Sequence, residues 1–459
     1  MKWGRALELK EFNKLHNHRY SEEKRYVRPR EKEVLESLER FQDEKFGIMF
    51  HWGIYSQWGL IESWALPDAD REWAWYDVDS DLTCAEFRQQ YWDLYKTFNP
   101  VRFRPEQWAK TARDAGFKYV LFTTKHHDGF CMWDTKYSDY KITSPACPFS
   151  INRHADICKS LFDAFRDEGL KVHAYFSKPD WHSEYYWPKG YAKNEYMTRN
   201  TSYNTFLHPK LWERFCEYTK NQMLELVTHY GRIECLWLDG GQVRPRNGMD
   251  LHLSQIVKEA RKIQPWLMVA DRTVGGRNEN FITPEQTVPD HPILIPWESC
   301  VTLGSSFSFR FDDEYKSAKT VIHMLCDIVA KGGNLALNIG PRPDGRLPAK
   351  VYPILQEVGA WLRQNGYAIY GTRPVSPYRA GNIAYTAKGG EVYAIYLPDA
   401  DDEANVLPLH LHILFDRPVH AVTFHGEKQP FSQELGGIGI SVKGAFEKEA
   451  AYVFTLKVE

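Results

Sequence analysis

Seven short apolar runs, each followed by a loop and an amphipathic helix, limit what this chain can fold into more than any other feature. The runs lie at residues 46–51, 119–124, 172–177, 233–238, 267–271, 293–298 and 335–340. Strands that alternate with helices must be parallel, because each return to the sheet needs a crossover connection. The helices between them carry ordinary stops: Pro105 opens one, Gly116, Gly169 and Gly231 close three, and Pro265 ends a fourth. An open doubly wound sheet would place a glycine-rich phosphate loop after its first strand. FGIMFHWGIYSQWG has aromatic residues where those glycines would stand. The pattern therefore predicts an α/β fold of the (β/α)8 TIM-barrel type, with its eighth strand irregular or placed within 274–292. From about residue 371 the periodicity shifts to short alternating runs between Gly, Asp and Pro turns, which predicts a C-terminal antiparallel β-sandwich. The expected division is a charged N-terminal segment at 1–40, a barrel at 41–370 and the sandwich at 371–459.

Charge and composition remove several classes of function. Lys and Arg number 58 against 60 Asp and Glu, a net charge of −2, so nothing supplies the basic excess that nucleic acid or an anionic membrane surface requires. A hydrophobic content of 43% excludes a disordered chain. Cysteines at 84, 131, 147, 158, 216, 235, 300 and 326 show no paired spacing and read as scattered thiols. The N-terminus lacks an apolar stretch with a cleavage site, and no apolar window reaches the length of a membrane span. Those two points predict a cytoplasmic protein, a processed secreted form being the alternative.

Catalytic groups of a barrel sit at the C-terminal ends of its strands. Read in order, those ends hold His51, His126 with His127, Tyr175, Asp239, Arg272, Glu298 and Asn338. Such a series of acids, histidines and an arginine points to one polar pocket. Asp239 precedes two glycines and reads either as a turn former or as a nucleophile beside Trp237. Glu298, next to Trp297, reads as a solvated acid or as the second carboxyl of a glycosidase, held protonated by apolar neighbours. Glu72 is a rival for that role. The pair His126–His127 fits hydrogen bonding to a polyol, a structural role, or metal binding; helical HExxH spacing is absent. A metal-dependent hydrolase would recruit His51, His126, His127 and Asp239 as ligands, and a non-catalytic sugar-binding barrel is a further alternative.

The blocks KFGIMFHWGIYSQWG, REWAWY, AGFKYVLFTTKHHDGFCMWDTKYSDY, AYFSKPDWH, LWLDGG, PWESCVTLG, KGGNLALNIGPRPDG and NGYAIYGTRP run from about residue 45 to 374. In content and order they resemble the α-L-fucosidases of glycoside hydrolase family 29. The resemblance implies a barrel followed by a β-sandwich, and retaining double displacement without metal or organic cofactor. It implies Asp239 as nucleophile, Glu298 as acid/base, and His51, Glu72, Trp73, His126, His127, Tyr175, Trp237 and Arg272 around the fucose. Phe309 is the expected wall for the apolar 6-methyl group. The segment SSFSFRF departs from the family's usual tryptophan-containing continuation, so Phe307 and Phe309 alter the pocket lip. The implied partner is a fucosylated oligosaccharide or glycoconjugate, with assembly as a homo-oligomer left open.

Overall fold

The computed structural model describes residues 20–75, 81–191, 196–399, 404–443 and 448–458; the first 19 residues of the expected N-terminal segment lie outside them. Seven parallel strands form one curled sheet: β1 (Phe46–Phe50), β2 (Tyr119–Lys125), β3 (Lys171–Ser177), β4 (Cys235–Asp239), β5 (Met268–Asp271), β6 (Glu298–Thr302) and β7 (Asn334–Ile339). Their spatial order is β5-β4-β3-β2-β1-β7-β6. β1 and β2 are buried throughout, as expected for strands covered on both faces. Side-chain capping fixes the crossover helices: Asp156 accepts the Lys159 N–H at 3.0 Å, and Ser317 accepts that of Thr320 at 3.1 Å.

One expectation is corrected here. The sixth strand begins at Glu298 rather than ending there. Pro292 and Pro296 cannot donate to a ladder, so the apolar run 293–296 approaches the sheet outside any strand, and pairing begins at Trp297, just before the strand starts. No regular strand stands between β5 and β6. Residues 278–286 span that gap irregularly: the Asn280 N–H bonds Val269 O at 2.8 Å, while the Glu298 and Cys300 N–H groups bond Ile282 O and Pro284 O at 3.0 and 3.1 Å. The missing stave thus falls within 274–292, as a bent segment.

The C-terminal part is antiparallel. A six-stranded sheet runs β13-β12-β16-β10-β9-β8 and a three-stranded sheet β11-β15-β14, built from β8 (Arg373–Ala380), β9 (Ile383–Lys388), β10 (Glu391–Tyr396), β11 (His410–Leu414), β12 (Val419–Phe424), β13 (Glu427–Lys428), β14 (Phe431–Glu434), β15 (Gly437–Ser441) and β16 (Tyr452–Val458). Tyr385, Ile413, Phe424, Ile438 and Phe454 form the core of this sandwich-like unit. Alternating burial along β11 shows one face turned inward. Trp361, on the helix Val351–Asn365, donates to Ala451 O at 2.8 Å and ties the unit to the barrel. Among the described residues all eight cysteines are free thiols, and no helix is long and apolar enough to cross a membrane.

Candidate active site

A cavity of about 700 Å³ opens at the C-terminal ends of the strands. Asp239, the last residue of β4, forms part of its floor. The chain can turn away there because Gly240 adopts a left-handed φ of 86°, and a Cβ on it would lie 2.2 Å from Pro179. Tyr175 donates to Asp239 Oδ2 at 2.7 Å and Arg272 to Oδ1 at 2.8 Å, while His127 Nε2 stands 3.6 Å from Oδ2. Burial alone would raise the Asp239 pKa. Arg272, His127, the Tyr175 hydroxyl and the Gly240 N–H outweigh it and hold the carboxyl well below the usual carboxylate range. The group is a stable carboxylate.

Arg272 follows β5 and is gripped from three sides. Its guanidinium lies 4.3 Å from the Trp237 ring, its Nε donates to Thr283 Oγ1 at 3.2 Å, and its second terminal nitrogen is paired with Glu285. One planar fork therefore joins Asp239 to Glu285. The histidines surround this group. His51 Nδ1 lies 2.8 Å from Asn338 Oδ1, and Asn338 Nδ2 donates to Phe307 O at 2.6 Å. That amide orientation leaves the proton on His51 Nδ1 and its Nε2 as an acceptor. His126 stacks on Tyr175 and bonds Ser63 Oγ at 2.6 Å; His127 bonds Ser177 Oγ. Burial lowers His51 and His127 to about 4 and holds His126 well below the usual imidazole range, so all three are neutral near pH 7. Neutral imidazoles with one nitrogen anchored suit hydroxyl recognition.

His126, His127 and Asp239 each offer a ligand atom within 4.8 Å of one another, a spacing that could hold a metal ion. The donors fit a cation poorly. Both Asp239 oxygens are already taken by Arg272 and Tyr175, and the fixed positive charge of Arg272 stands 2.8 Å from one of them.

Of the residues predicted from sequence, His51, Trp73, His126, His127, Trp237, Asp239 and Arg272 line the cavity, and Tyr175 touches Asp239. Three others stand away from it. Glu298 is wholly buried at the start of β6, paired in register with Asn334, below the level of Phe46. Its oxygens accept the Tyr119 hydroxyl at 2.5 Å and the Trp237 indole N–H at 3.0 Å, so Trp237 stands between it and Arg272. Burial pushes its pKa up to about 7. Glu72 is exposed on the short helix Arg71–Ala74, outside the cavity. Phe309 is buried against Phe311 with Arg342 over its ring; Phe307, two residues earlier, faces the cavity 4.8 Å from His51.

Sequence reading missed Glu62, Trp64, Arg199 and Glu285, all of which line the cavity. Glu62 is buried with a left-handed φ of 46° and accepts the Ser308 N–H at 2.6 Å; burial raises its pKa to about 7. Its signal was slight, an acid two residues before a tryptophan in a loop. Glu285 had none, since the bent segment that carries it has no periodicity.

Comparison with known proteins gives a consistent result. The sequence model of the family described as alpha-L-fucosidase matches residues 13–367. The human tissue alpha-L-fucosidase is 30% identical over 396 residues, covering 78% of this chain and 75% of that protein. The alpha-L-fucosidase of Branchiostoma floridae is 28% identical and covers 88% of each. Among solved structures, alpha-L-fucosidase isoenzyme 1 from Paenibacillus thiaminolyticus superposes with a TM-score of 0.74 at 28% identity, covering 93% of this chain and 100% of that one. A family 29 enzyme from Bacteroides thetaiotaomicron, trapped as a covalent intermediate with 2-fluoro-fucosyl fluoride, gives 0.76 at 25% identity, covering 95% and 99%.

Proposed function

Because this chain belongs to the α-L-fucosidase family of glycoside hydrolases, we propose that it releases terminal α-L-fucose from glycans with Asp239 as nucleophile and Glu285 as acid/base. The observation that carries the assignment is the Arg272 fork that joins these two carboxyl groups at the cavity floor. A single guanidinium spans the short separation of a retaining pair, roughly 5–5.5 Å, better than the roughly 6.5–9.5 Å of an inverting one. Glu298, the acid/base that the family resemblance implies, lies beneath Trp237 and touches no part of the cavity.

In the first step ionised Asp239 attacks the anomeric carbon, the glycosidic C–O bond breaks, and Glu285 gives its proton to the departing oxygen. A fucosyl ester on Asp239 results. Esterification removes one negative charge from Arg272 and leaves Glu285 as its remaining ionic partner, which favours the carboxylate needed as base. Glu285 then takes a proton from water, the hydroxide oxygen bonds to the anomeric carbon, and the ester C–O bond releases Asp239. Two displacements give net retention. Tyr175, Arg272 and His127 stabilise the carboxylate as it leaves. His51 and His126 meet sugar hydroxyls, and Phe307 offers the apolar wall for the 6-methyl group.

The test is the initial rate on 4-nitrophenyl α-L-fucoside with and without excess EDTA, beside Asp239→Ala and three azide-rescue variants. Chelator-insensitive release that falls by several orders of magnitude in Asp239→Ala is expected. Azide should restore activity to Glu285→Ala and yield a fucosyl azide. Rescue of Glu62→Ala or Glu298→Ala instead would move the acid/base role there. Release abolished by EDTA would make His126, His127 and Asp239 metal ligands and overturn the mechanism.

A further inference from the structure

Beyond the fucose-facing floor, the cavity wall carries more positive charge than its acids can match. Asp239 and Glu285 are both paired with Arg272, Arg199 is paired with Asp70, and Glu22 at the rim is paired with Lys24 at 2.7 Å. Glu62 is satisfied by the Ser308 backbone. Three further arginines line the same cavity: Arg25 from the N-terminal stretch, and Arg244 and Arg246 from the loop after β4. None of them has a carboxylate at ion-pair distance among the described residues. Arg25 donates to Val274 O at 2.5 Å, and Arg244 to the carbonyls of Gly241 and Thr273. Arg246 is exposed on the turn Pro245–Asn247. Burial, and then the nearby charge of Arg246, pull the Arg244 pKa down; Asp271 and Glu279 oppose the shift without pairing with the guanidinium, and Arg25 adds to it.

Guanidinium groups gathered with only distant acids to offset them and no carboxylate at ion-pair distance repel one another, and an incoming anion would relieve that repulsion. The three come from elements at the same end of the barrel as Asp239, and the cavity is larger than one monosaccharide requires. We propose that the cavity beyond the fucose site selects an anionic aglycone, in which the group bearing the fucose carries a carboxylate or a sulfate ester recognised by Arg25, Arg244 and Arg246. This rests on the α-L-fucosidase reading and adds a substrate class to it. Guanidinium groups bind both oxyanions through paired N–H donors, whereas a neutral aglycone gains nothing from them.

The experiment compares three aryl α-L-fucosides whose nitrophenyl ring bears a meta carboxylate, a meta sulfonate or a neutral meta methyl ester. Wild type and the double variant Arg25→Gln/Arg246→Gln are assayed at low and high salt. In the wild type, kcat/KM for at least one anionic substrate should exceed that for the ester by about tenfold at low salt. The excess should shrink as salt screens the exposed charges. In the double variant the anionic-to-neutral ratio should fall toward one; because the ratio is taken within each variant, any general loss of activity cancels. Preference for the carboxylate alone or the sulfonate alone identifies the oxyanion. Hydrolysis of all three with equal kcat/KM in the wild type overturns the proposal and leaves the fucosidase reading standing. A ratio unchanged in the double variant also overturns it. Failure to hydrolyse even the neutral ester overturns the fucosidase reading and this proposal with it.

Discussion

Replacing Glu298 by glutamine separates a buried structural carboxyl from a catalytic one, because the two roles predict opposite outcomes. Glu298 is fully buried with both oxygens accepting, from Tyr119 and from Trp237. Burial raises its pKa from 4.5 to about 7. Between those values the folded protein keeps a proton that the unfolded chain has released, so the group lowers stability as pH rises through that window. The gap, at roughly 1.4 kcal/mol per pH unit, makes a cost of about 3 kcal/mol above pH 7. The amide of Glu298→Gln fills the same volume, its carbonyl can accept the Trp237 N–H, and its amino group can meet the Tyr119 oxygen. It has no charge to desolvate. Denaturant unfolding at about pH 5 and about pH 8 should therefore show the variant gaining roughly 2–3 kcal/mol on the wild type between the two conditions. Taking the difference between proteins cancels the other buried acids, such as Glu44 and Asp128, which burial also pushes up. Turnover should stay within about tenfold of wild type, since the substitution reaches the cavity only through Trp237. Equal pH dependence of the two stabilities would refute the buried-carboxyl reasoning. A loss of about a thousandfold with azide rescue would place Glu298 at the reacting bond and refute the site as described.

Arg272→Ala should lower kcat about a hundredfold or more, by leaving two acids side by side without a cation. The depressed pKa of Asp239 contributes stability above its unfolded pKa that is lost as pH falls, so the variant's acid limb of kcat/KM should move to higher pH; an unmoved limb would count against Arg272 as the group that keeps Asp239 ionised. Phe307→Ala should cost about tenfold or more in kcat/KM through the lost methyl contact, with little change in stability. Phe309→Ala should cost about 3–5 kcal/mol of stability in denaturant unfolding, and the reverse pattern would restore Phe309 as the pocket wall.

The barrel was legible because its strands are buried on both faces and read as apolar runs with polar ends. The same property exposed Asp239, which follows the buried run 233–238 and stops at a glycine pair. It also misled at Glu298. The run 293–298 looks like its siblings, but its prolines keep residues 293–296 out of the strand, so the acid that seemed to end a strand begins one. A shift of one strand length moves a residue from the active face to the opposite end of a barrel. Phe307 and Phe309 show the same sensitivity on a smaller scale. Both sit on a loop laid across Gly340, where a Cβ would come within 2.3 Å of the Phe309 nitrogen and the Ser308 carbonyl carbon. Which of two alternate aromatics faces inward there depends on that close approach, and a residue pattern does not record it.

Glu285 could not have been found by periodicity, and the reason is physical. A regular eighth stave between β5 and β6 would pair in parallel with both neighbours. Residues 278–286 instead meet β5 through an antiparallel bridge, Ala270 with Glu279, and β6 through parallel bridges, Ile282 with Trp297 and Glu285 with Cys300. The change of direction between them brings Thr283 and Glu285 together onto Arg272. Its polar side chains are satisfied one by one: Gln286 donates to Thr302 Oγ1 at 3.0 Å, and Asn280 Oδ1 accepts the Val269 N–H at 2.8 Å. Such a segment cannot read as an apolar strand, because the groups that orient the arginine are the polar groups that break the pattern. The gap in the strand series and the second acid on Arg272 are therefore one feature, and the place where the sequence stopped resembling a barrel is the place where the barrel holds the proposed catalytic pair together.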